Sequence, residues 1–321
     1  MSKNNVLVTG GAGYIGGHLV RELIKAGYPV TVLDNLSTGR VENLDPKAEF
    51  VKGDLADAKL LADLFSSHKF DGVFHMAASL EVEESVREPR KYFENNILNL
   101  IKLLDAVASF GTKKIIFSSS ASVYGQTDNH PVSETSPIGP NNPYGSTKLI
   151  GEQIIKYYSD SFGINAVAFR YFNATGFDPE AKILPTHQSH LIYNVLMAAK
   201  GKKALEIFGS DYNTVDGTAI RDYVHVSDIA SPHILAFENM SSGFEIYNIG
   251  TGHGYSVKQV VDTASKIIKK EIPVKIGPRR AGDAEVTVAD NTKLISKIKY
   301  QLKYSSLENI ISTSWEKLKD L

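Results

Sequence analysis

The sequence predicts an α/β protein in which a doubly wound parallel sheet is followed by a smaller mixed α/β C-terminal domain. Apolar strand patterns alternate with amphipathic helix patterns as far as residue 173, and such apolar strands are typical of a parallel sheet that helices cover on both faces. Beyond residue 173 the pattern becomes irregular. We therefore expect one domain over residues 1–173 and a second over 174–321, in close contact, with some late elements returning to the first sheet.

The individual elements follow from their apolar periodicity and their end signals. In the first half the strand patterns are NVLVTG, PVTVLDN, AEFVKGDL, FDGVFHMAA, KKIIFSSSA and INAVAFRYFN. The helix patterns between them are YIGGHLVRELIKAGY, DAKLLADLFSSH, RKYFENNILNLIKLLDAVASFG and NPYGSTKLIGEQIIKYYSDSFG, and Gly27 and Gly111 mark two helix ends. In the second half we expect helices near 188–200, 227–240, 256–270 and 306–317, and strands at ALEIFG, EIYNIG and IPVKIG.

Composition and charge exclude several classes of function. The chain has 321 residues, a net charge of -1 and no cysteine, which excludes disulfides, thiolate catalysis and zinc–thiolate sites. We expect no metal site, no nucleic-acid partner and no membrane partner, because the charge is balanced and no stretch approaches the ~20 apolar residues of a membrane helix. Glycines interrupt the apolar run after Lys3, so we expect no signal peptide and a cytoplasmic location.

A glycine-rich stretch follows the first strand pattern. Gly10, Gly13 and Gly16, together with Gly11, fit two spacings of the dinucleotide-binding fingerprint. Such a loop needs residues without a Cβ because its backbone approaches a pyrophosphate, and the helix that follows presents free N–H groups and a positive dipole end. The alternative is an ordinary glycine-rich turn. The strand before the glycines and the helix after them favour a Rossmann domain.

Two acidic residues end the next two strand patterns. Asp34 lies 18 residues after Gly16, where an acid accepts hydrogen bonds from the ribose hydroxyls of adenosine. A carboxylate there repels a 2′-phosphate, so the sequence favours NAD over NADP. The alternative role of Asp34 is a turn aspartate. Asp54 ends the third strand pattern and is expected to meet the adenine amino group, with the N-cap of the next helix as its alternative role.

A tyrosine and a lysine in PYGSTKL form the candidate catalytic pair. Tyr144 and Lys148 are four residues apart on a predicted helix, so they share one face. A nearby ammonium favours the phenolate, and a tyrosine tuned in this way can take a proton from a substrate hydroxyl. Ser120 ends the fifth strand pattern, at the edge where ligands bind in doubly wound sheets. We expect its hydroxyl to relay the proton, with satisfaction of a strand-end backbone group as the alternative.

With these pieces in place, the sequence resembles the extended short-chain dehydrogenase/reductase family, in its NAD-dependent epimerase/dehydratase branch. The resemblance covers nearly the whole chain and includes VTGGAGYIG, VLDNLSTG, FSSSASVYG, PYGSTKL, RYFNATG, DGTAIRDYVHVSDIA and GPRRAGD. It implies NAD as a tightly bound cofactor and reversible inversion at C4 of a UDP-hexose through a 4-keto intermediate. It also implies a homodimer, formed through the helices over residues 90–110 and 144–162.

The resemblance also implies roles for individual positions. Tyr144, Lys148 and Ser120 would be catalytic. The dinucleotide would be lined by Gly10, Gly13, Tyr14, Ile15, Gly16, Asp34, Asn35, Asp54, Leu55, Ala77, Asn95 and Tyr171. The nucleotide sugar would be held by Phe172, Asn173, Leu191, Phe208, Arg221, Tyr223, Arg280, Asp283 and Thr287. Paired arginines suit a diphosphate because the guanidinium fork binds oxyanions in pairs.

Several positions separate this chain from its relatives or leave alternatives open. Ala121 and Ser122 follow Ser120, where related dehydratases and decarboxylases carry acids, so oxidation and re-reduction at C4 is favoured. Leu80 stands where many members of the branch have a lysine near the cofactor, which predicts weaker cofactor retention. Thr287 is small, and we expect N-acetylated sugars to fit beside it.

Other readings of the same residues remain open at this point. The enzyme alternative is a 4-epimerase of UDP-N-acetylglucosamine or UDP-glucuronate, and the alternative from another class is a non-catalytic sensor that binds a sugar nucleotide or dinucleotide. The alternative role for Arg221 is an ion pair with Asp222, and for Arg280 a solvated position beside Arg279.

Overall fold

A computed structural model describes residues 3–127, 130–181, 183, 190–202, 204–279 and 284–319. The strands of the described residues are β1 Val6–Thr9, β2 Val30–Asp34, β3 Glu49–Lys52, β4 Gly72–His75, β5 Lys114–Ser120, β6 Asn165–Tyr171, β7 Asn173–Thr175, β8 Leu205–Phe208, β9 Ile220–His225, β10 Phe244–Ile249, β11 Gly254–Ser256, β12 Val274–Gly277 and β13 Val286–Thr287. The α-helices are α1 Tyr14–Lys25, α2 Ala58–Ser67, α3 Val82–Arg87, α4 Pro89–Phe93, α5 Asn99–Ser109, α6 Pro143–Phe162, α7 Leu191–Ala199, α8 Val226–Glu238, α9 Val257–Ile268, α10 Thr292–Ile298 and α11 Leu307–Leu318.

The main sheet has the order β10-β6-β5-β4-β1-β2-β3 within the described part of the chain, and every neighbouring pair is parallel. The predicted doubly wound parallel sheet is therefore confirmed. The chain direction across the sheet reverses between β1 and β4. A crevice opens at such a reversal, outside the carboxyl ends of the strands, and this is where doubly wound sheets bind ligands.

Helices cover both faces of this sheet and bury its side chains. On one face, α1 and α8 pack over an apolar cluster that includes Phe74, Phe169 and Phe237. On the other face, α2, α5 and α6 pack over a cluster that includes Leu7 and Phe117. Burial on both faces explains why the strand patterns are continuously apolar rather than alternating.

The two helices predicted over 90–111 and near 144–162 have different interiors. The first contains a wider π turn at Glu94–Leu98, between α4 and α5. The second, α6, is one continuous α-helix over Pro143–Phe162. The Asn142 side chain accepts from the amide of Gly145 at 2.8 Å at its start, and Gly163 ends it in a left-handed conformation. The π turn was not predicted, because an apolar period does not distinguish one inserted residue from a regular turn.

The later part of the chain builds a second, smaller layer over the carboxyl ends of the strands. Its central strand is β9, which pairs with β7 and β13 in parallel and with β11 in antiparallel fashion, while β8 and β12 form a separate parallel pair. Helices α7, α9 and α11 enclose an apolar core beside these strands. Strand β10 belongs to this stretch of sequence but pairs with β6 in the main sheet.

Helix α1 joins the two parts of the molecule. The hydroxyl of Tyr14 donates to the carbonyl of Gly176, and Arg21 lies 3.3 Å from the carboxylate of Asp178 and 3.1 Å from that of Glu180. The helix that starts at the glycine loop is thus fastened to the segment that follows β7. No helix of the described residues is both long and apolar enough to cross a membrane.

Candidate functional site

The glycine loop between β1 and α1 has positions that no side chain could occupy, and it leads to an uncapped helix N-terminus. Gly10 has a φ of +73°, and a Cβ on it would lie 2.6 Å from the amide nitrogen of Ala77. A Cβ on Gly16 would overlap the carbonyl oxygen of Gly10. Gly13 is the N-cap residue of α1 and no side chain caps that end. The first-turn amides, including that of Ile15, have no intrahelical partner, so the loop fits a pyrophosphate.

The side chain of Tyr14 points away from this loop. Its ring meets His18 and Phe177 edge-on, and burial raises its pKa. What Tyr14 offers an anion at the helix N-terminus is therefore its backbone amide. Its phenol instead belongs to the contact between α1 and the segment after β7.

Asp34 ends β2 beside the glycine loop, as the sequence predicts. It is 8 % exposed, and its two carboxylate oxygens accept hydrogen bonds from the amides of Ala12 at 3.0 Å and Leu36 at 2.8 Å. Gly39 comes so close that a Cβ there would lie 2.9 Å from the carboxylate. Two carboxylate oxygens have about four acceptor positions, so acceptor capacity remains for ribose hydroxyls.

Asn35 and Asp54 meet at the ends of β2 and β3. The Asn35 amide donates to the Asp54 carboxylate at 2.7 Å, and the other Asp54 oxygen accepts from the amide of Ala56 at 2.8 Å. The N-cap role considered for Asp54 is wrong, because Asp57 caps α2 through the amide of Leu60. Leu55 is buried directly beside this pair.

Asparagines order the segment that follows β4. Asn95 donates to the hydroxyl of Ser79 at 3.2 Å. Asn96 accepts from the amide of Ser79 at 2.8 Å and donates to the hydroxyl of Thr147 at 3.1 Å. These bonds tie the segment containing Ala77 to the face of α6 that carries the catalytic pair.

Ser120, Tyr144 and Lys148 come together where β5 ends and α6 begins, and all three are buried. Lys148 Nζ donates to the carbonyl of Ser118 at 2.7 Å and lies 5.8 Å from the centre of the Tyr144 ring. Burial raises the pKa of Tyr144, and a hydrogen bond with Ser120 opposes that rise. Burial lowers the pKa of Lys148 to about 7, against the opposing effect of Glu152. The geometry suits proton exchange with a bound hydroxyl.

The hydroxyl of Tyr171 is bonded on the side of α8. It lies 2.6 Å from Nε2 of His233, while Nδ1 of that histidine lies 2.7 Å from the carbonyl of Ile229. Since a carbonyl only accepts, Nδ1 carries the proton and Nε2 accepts from Tyr171. Burial lowers the pKa of His233 to about 4. The ring of Tyr171 is then the part that can line a cofactor pocket.

Strand register gathers four of the predicted substrate residues in the smaller sheet. Tyr223 of β9 pairs with Asn173 of β7, and Arg221 of β9 pairs with Thr287 of β13. The Asn173 amide donates to the carbonyl of Asp222 at 2.9 Å. These side chains sit at neighbouring positions although up to 114 residues separate them in sequence.

Asp222 fixes the loops around Arg221 rather than forming the ion pair considered for it. Its carboxylate accepts from the amides of Thr251 at 2.8 Å, Gly252 at 3.0 Å and Ala289 at 3.2 Å. Arg221 Nη1 donates to the carbonyl of Ile220 at 2.9 Å. The same nitrogen also donates to the carbonyl of Glu285 at 3.4 Å.

The remaining predicted residues lie in different surroundings. Phe172 is buried with Val123, Tyr124, Val132 and Ala289 in a small apolar cluster. Leu191 begins α7 and packs on the apolar core that α7, α9 and α11 enclose. Phe208 ends β8. Arg280 and Asp283 lie outside the described residues.

Three buried residues beside the catalytic pair were not predicted from the sequence: Ser119, Glu152 and Arg170. Their signal was present, since Arg170 is a charge in the otherwise apolar strand NAVAFRY and Glu152 follows Lys148 by one helical turn. Neither Arg170 nor Glu152 belongs to a known sequence motif, and the apolar period of a strand or helix does not indicate a buried ion pair.

Known proteins similar to this chain share its length and its fold. Residues 6–250 match the model of the NAD dependent epimerase/dehydratase family. A UDP-glucose 4-epimerase of Lacticaseibacillus casei is 43 % identical over 97 % of this chain and 95 % of its own length.

Solved structures agree. A UDP-glucose 4-epimerase from Brucella ovis in complex with NAD is 41 % identical, with a TM-score of 0.94 over 98 % of each chain. The UDP-Glc/GlcNAc 4-epimerase of Campylobacter jejuni is 38 % identical, with a TM-score of 0.86 over 99 % of this chain and 100 % of its own.

Proposed function

Because the chain belongs to the NAD-dependent epimerase/dehydratase family, we propose that it interconverts UDP-glucose and UDP-galactose by inverting C4, with NAD as its cofactor. The observation that carries the proposal is the buried cluster of Ser120, Tyr144 and Lys148 at the carboxyl edge of the main sheet. Relatives that are 41–43 % identical to this chain over at least 95 % of their own length are named UDP-glucose 4-epimerase.

The dinucleotide fits the residues present. The backbone around Gly10 and Gly16 is packed so closely that neither position has room for a Cβ, which suits a loop that approaches a pyrophosphate. Asp34 offers carboxylate acceptors to the adenosine ribose. We assign the adenine end to the joined pair Asn35 and Asp54, with Leu55 beside them. The other residues assigned to the cofactor are Gly13, Tyr14, Ile15, Ala77, Asn95 and Tyr171. When bound, the dinucleotide supplies a hydride acceptor that can return the hydride to either face of C4.

The chain's own residues handle the proton. Tyr144 takes the proton of the 4-hydroxyl and gives it back after the 4-keto sugar has presented its other face. Ser120 holds the same oxygen and passes the proton through its hydroxyl, while the Lys148 ammonium stabilises the Tyr144 phenolate. No net oxidation results.

The UDP part keeps the 4-keto sugar from leaving. We assign Arg221 and Arg280 to the diphosphate, because two guanidinium forks match its oxygens, and Asp283 to the uridine ribose. Asn173, Tyr223 and Thr287 lie at adjacent positions of the smaller sheet and form the sugar side, with Phe172, Leu191 and Phe208 shaping the pocket. In this proposal residues 1–173 bind the dinucleotide and residues 174–321 bind the nucleotide sugar.

The first test follows C4 inversion by proton NMR in purified protein without added cofactor. UDP-galactose should be converted to UDP-glucose until equilibrium, because the cofactor is regenerated in each turnover. If the protein converts UDP-galactose only after NAD+ is added, the result would support the reaction. It would also show weak cofactor retention, as the leucine at position 80 predicts. Continued lack of conversion with NAD+ would refute the proposed reaction.

A second substrate tests the space around C2. Thr287 is half-buried and opposite Arg221 in the β9–β13 pair, and its small side chain leaves room for a larger C2 substituent. We therefore expect UDP-N-acetylgalactosamine to be converted as well, as the Campylobacter relative's name describes for its own substrates. Absence of turnover at high enzyme concentration would contradict this expectation.

We also propose a homodimer through the helices over 90–110 and 144–162. These helices pack side by side, with the Tyr158 hydroxyl donating to Asp105 at 2.6 Å. They expose the apolar side chains of Phe93, Leu98 and Tyr157, which a second copy would cover in a helix bundle.

Light scattering coupled to size exclusion tests the dimer. The unchanged protein should elute at twice 35.2 kDa, and Leu98→Glu should shift it toward the monomer because it places a charge in the apolar contact. Lys59→Glu, a change on the exposed face of α2 where Lys59 pairs with Asp63, lies outside the proposed contact and serves as the control. A monomer at all concentrations of the unchanged protein would refute the dimer. The cytoplasmic location stays a prediction.

A further inference from the structure

We propose that Glu152, fixed by Arg170 and Ser119, is a positioning residue that keeps Lys148 charged and in place beneath Tyr144. The inference rests on the proposed function, in which the Lys148 ammonium stabilises the Tyr144 phenolate. It adds a buried ion pair that the sequence motifs do not contain.

Strand β5 is bonded to α6 at two consecutive residues. The carbonyl of Ser118 accepts from Lys148 and the hydroxyl of Ser119 donates to Glu152. Tyr144, Lys148 and Glu152 are four residues apart, so they lie along one face of α6. This arrangement places Glu152 one turn below Lys148 on the same side of the strand.

Arg170 holds the Glu152 carboxylate with both arms of its guanidinium. Nε donates to one carboxylate oxygen at 2.9 Å and Nη2 to the other at 2.7 Å, and both side chains are at most 2 % exposed. Nη1 of Arg170 continues to the hydroxyl of Tyr124 at 2.9 Å, and that hydroxyl donates to Asn248 at 2.7 Å. A bidentate guanidinium fixes the position and orientation of the carboxylate that it holds.

Lys148 needs such a neighbour because its other surroundings favour the neutral amine. The titratable groups on the elements packed around it are His75 on β4, Tyr144 and Glu152 on α6, and Arg170 and Tyr171 on β6, with Glu81 at the start of α3 acting on Tyr144. His75 is neutral, since burial lowers its pKa to about 3. Glu152 is the carboxylate in this set that stabilises the ammonium of Lys148, and it raises the Lys148 pKa against burial.

The sign of the effect separates a charge role from a structural role. Glu152→Gln removes the negative charge and keeps the side-chain shape, so Lys148 loses its proton at lower pH. Arg170→Lys removes the bidentate contact but keeps a cation beside the carboxylate, so Lys148 keeps its proton. A merely structural ion pair would make the two variants behave alike.

The experiment measures kcat for UDP-galactose against pH and, without substrate, the ultraviolet difference absorbance of tyrosinate, with Tyr144→Phe identifying the Tyr144 signal. In Glu152→Gln we expect the high-pH limb of kcat to move down by about one pH unit and the Tyr144 tyrosinate signal to move to higher pH. In Arg170→Lys, which keeps a cation beside Glu152, the limb should stay at its position in the unchanged protein. Asp160→Asn, which removes an exposed carboxylate from the same helix, should change neither quantity.

If Glu152→Gln does not fold, as judged by circular dichroism, the neutral double variant Glu152→Gln, Arg170→Gln carries the test. Its limb should still move down, because Glu152 is the member of the pair that acts on Lys148. Equal shifts in the two single variants, or an unchanged limb and tyrosinate signal in the carboxylate-free variants, would overturn the proposal. The unchanged protein would still convert UDP-galactose in that case, so the proposed function is judged separately.

Discussion

Tyr144→Phe lowers kcat for UDP-galactose by at least about a hundredfold, the contribution typical of a general acid–base group. The change removes the phenol oxygen that exchanges the proton but keeps the ring, which is buried and lies 5.8 Å from Lys148 Nζ. Because the ring still packs, the thermal unfolding temperature and the affinity for UDP should change little. Proton NMR of the conversion, thermal unfolding and a UDP titration measure the three quantities.

Tyr158→Phe is the matched control for this variant. Tyr158 lies on the same helix, but its hydroxyl donates to Asp105 near the surface, so its loss should leave kcat within about twofold, as expected for surface changes of a few tenths of a kcal/mol. If Tyr144→Phe retains more than about a tenth of the activity, Tyr144 is not the general base.

Gly16→Ala abolishes cofactor retention. The added methyl group would overlap the carbonyl oxygen of Gly10, so the loop must open where the pyrophosphate is expected to bind. Alanine has a higher helix propensity than glycine by about 1 kcal/mol, which makes a loss of stability attributable to the overlap. We expect less than about a tenth of the cofactor content and a free energy of unfolding lower by about 1–3 kcal/mol, the usual cost of overpacking.

Cofactor content is measured by releasing the nucleotide from purified protein and quantifying it, and the free energy by denaturant unfolding. Gly139→Ala is the control, because a Cβ there meets no atom within 4 Å. Full cofactor content in Gly16→Ala would show that the loop between β1 and α1 does not hold the dinucleotide.

Much of the first domain could be predicted from the sequence because its signals are local. The glycine spacing, Asp34 at the end of β2 and the four-residue interval of Tyr144 and Lys148 each need only one turn or one strand end to place them. The structure puts these residues at one edge of the sheet because parallel strands all end there.

The rest could not be predicted because it depends on contacts between distant parts of the chain. The side chain of Tyr14 binds Gly176, which lies 162 residues away, so its motif position gave no hint of its direction. Arg170 and Glu152 pair across a strand and a helix, and their partnership has no period. Strand β9 was not predicted, since its sequence IRDYVH mixes charged and apolar residues without a period of two.

The position of β10 has a consequence for how the protein is made. The chain leaves the main sheet after Tyr171, builds the first half of the smaller layer, and returns at Phe244 to pair with β6 along its whole length. Until Ile249 has left the ribosome, the outer edge of β6 is an uncovered strand that can recruit foreign strands. The main sheet is therefore complete only after β10 of the later part of the chain has paired with β6. A fragment that ends near residue 173 would expose the edge of β6, and we expect it to aggregate.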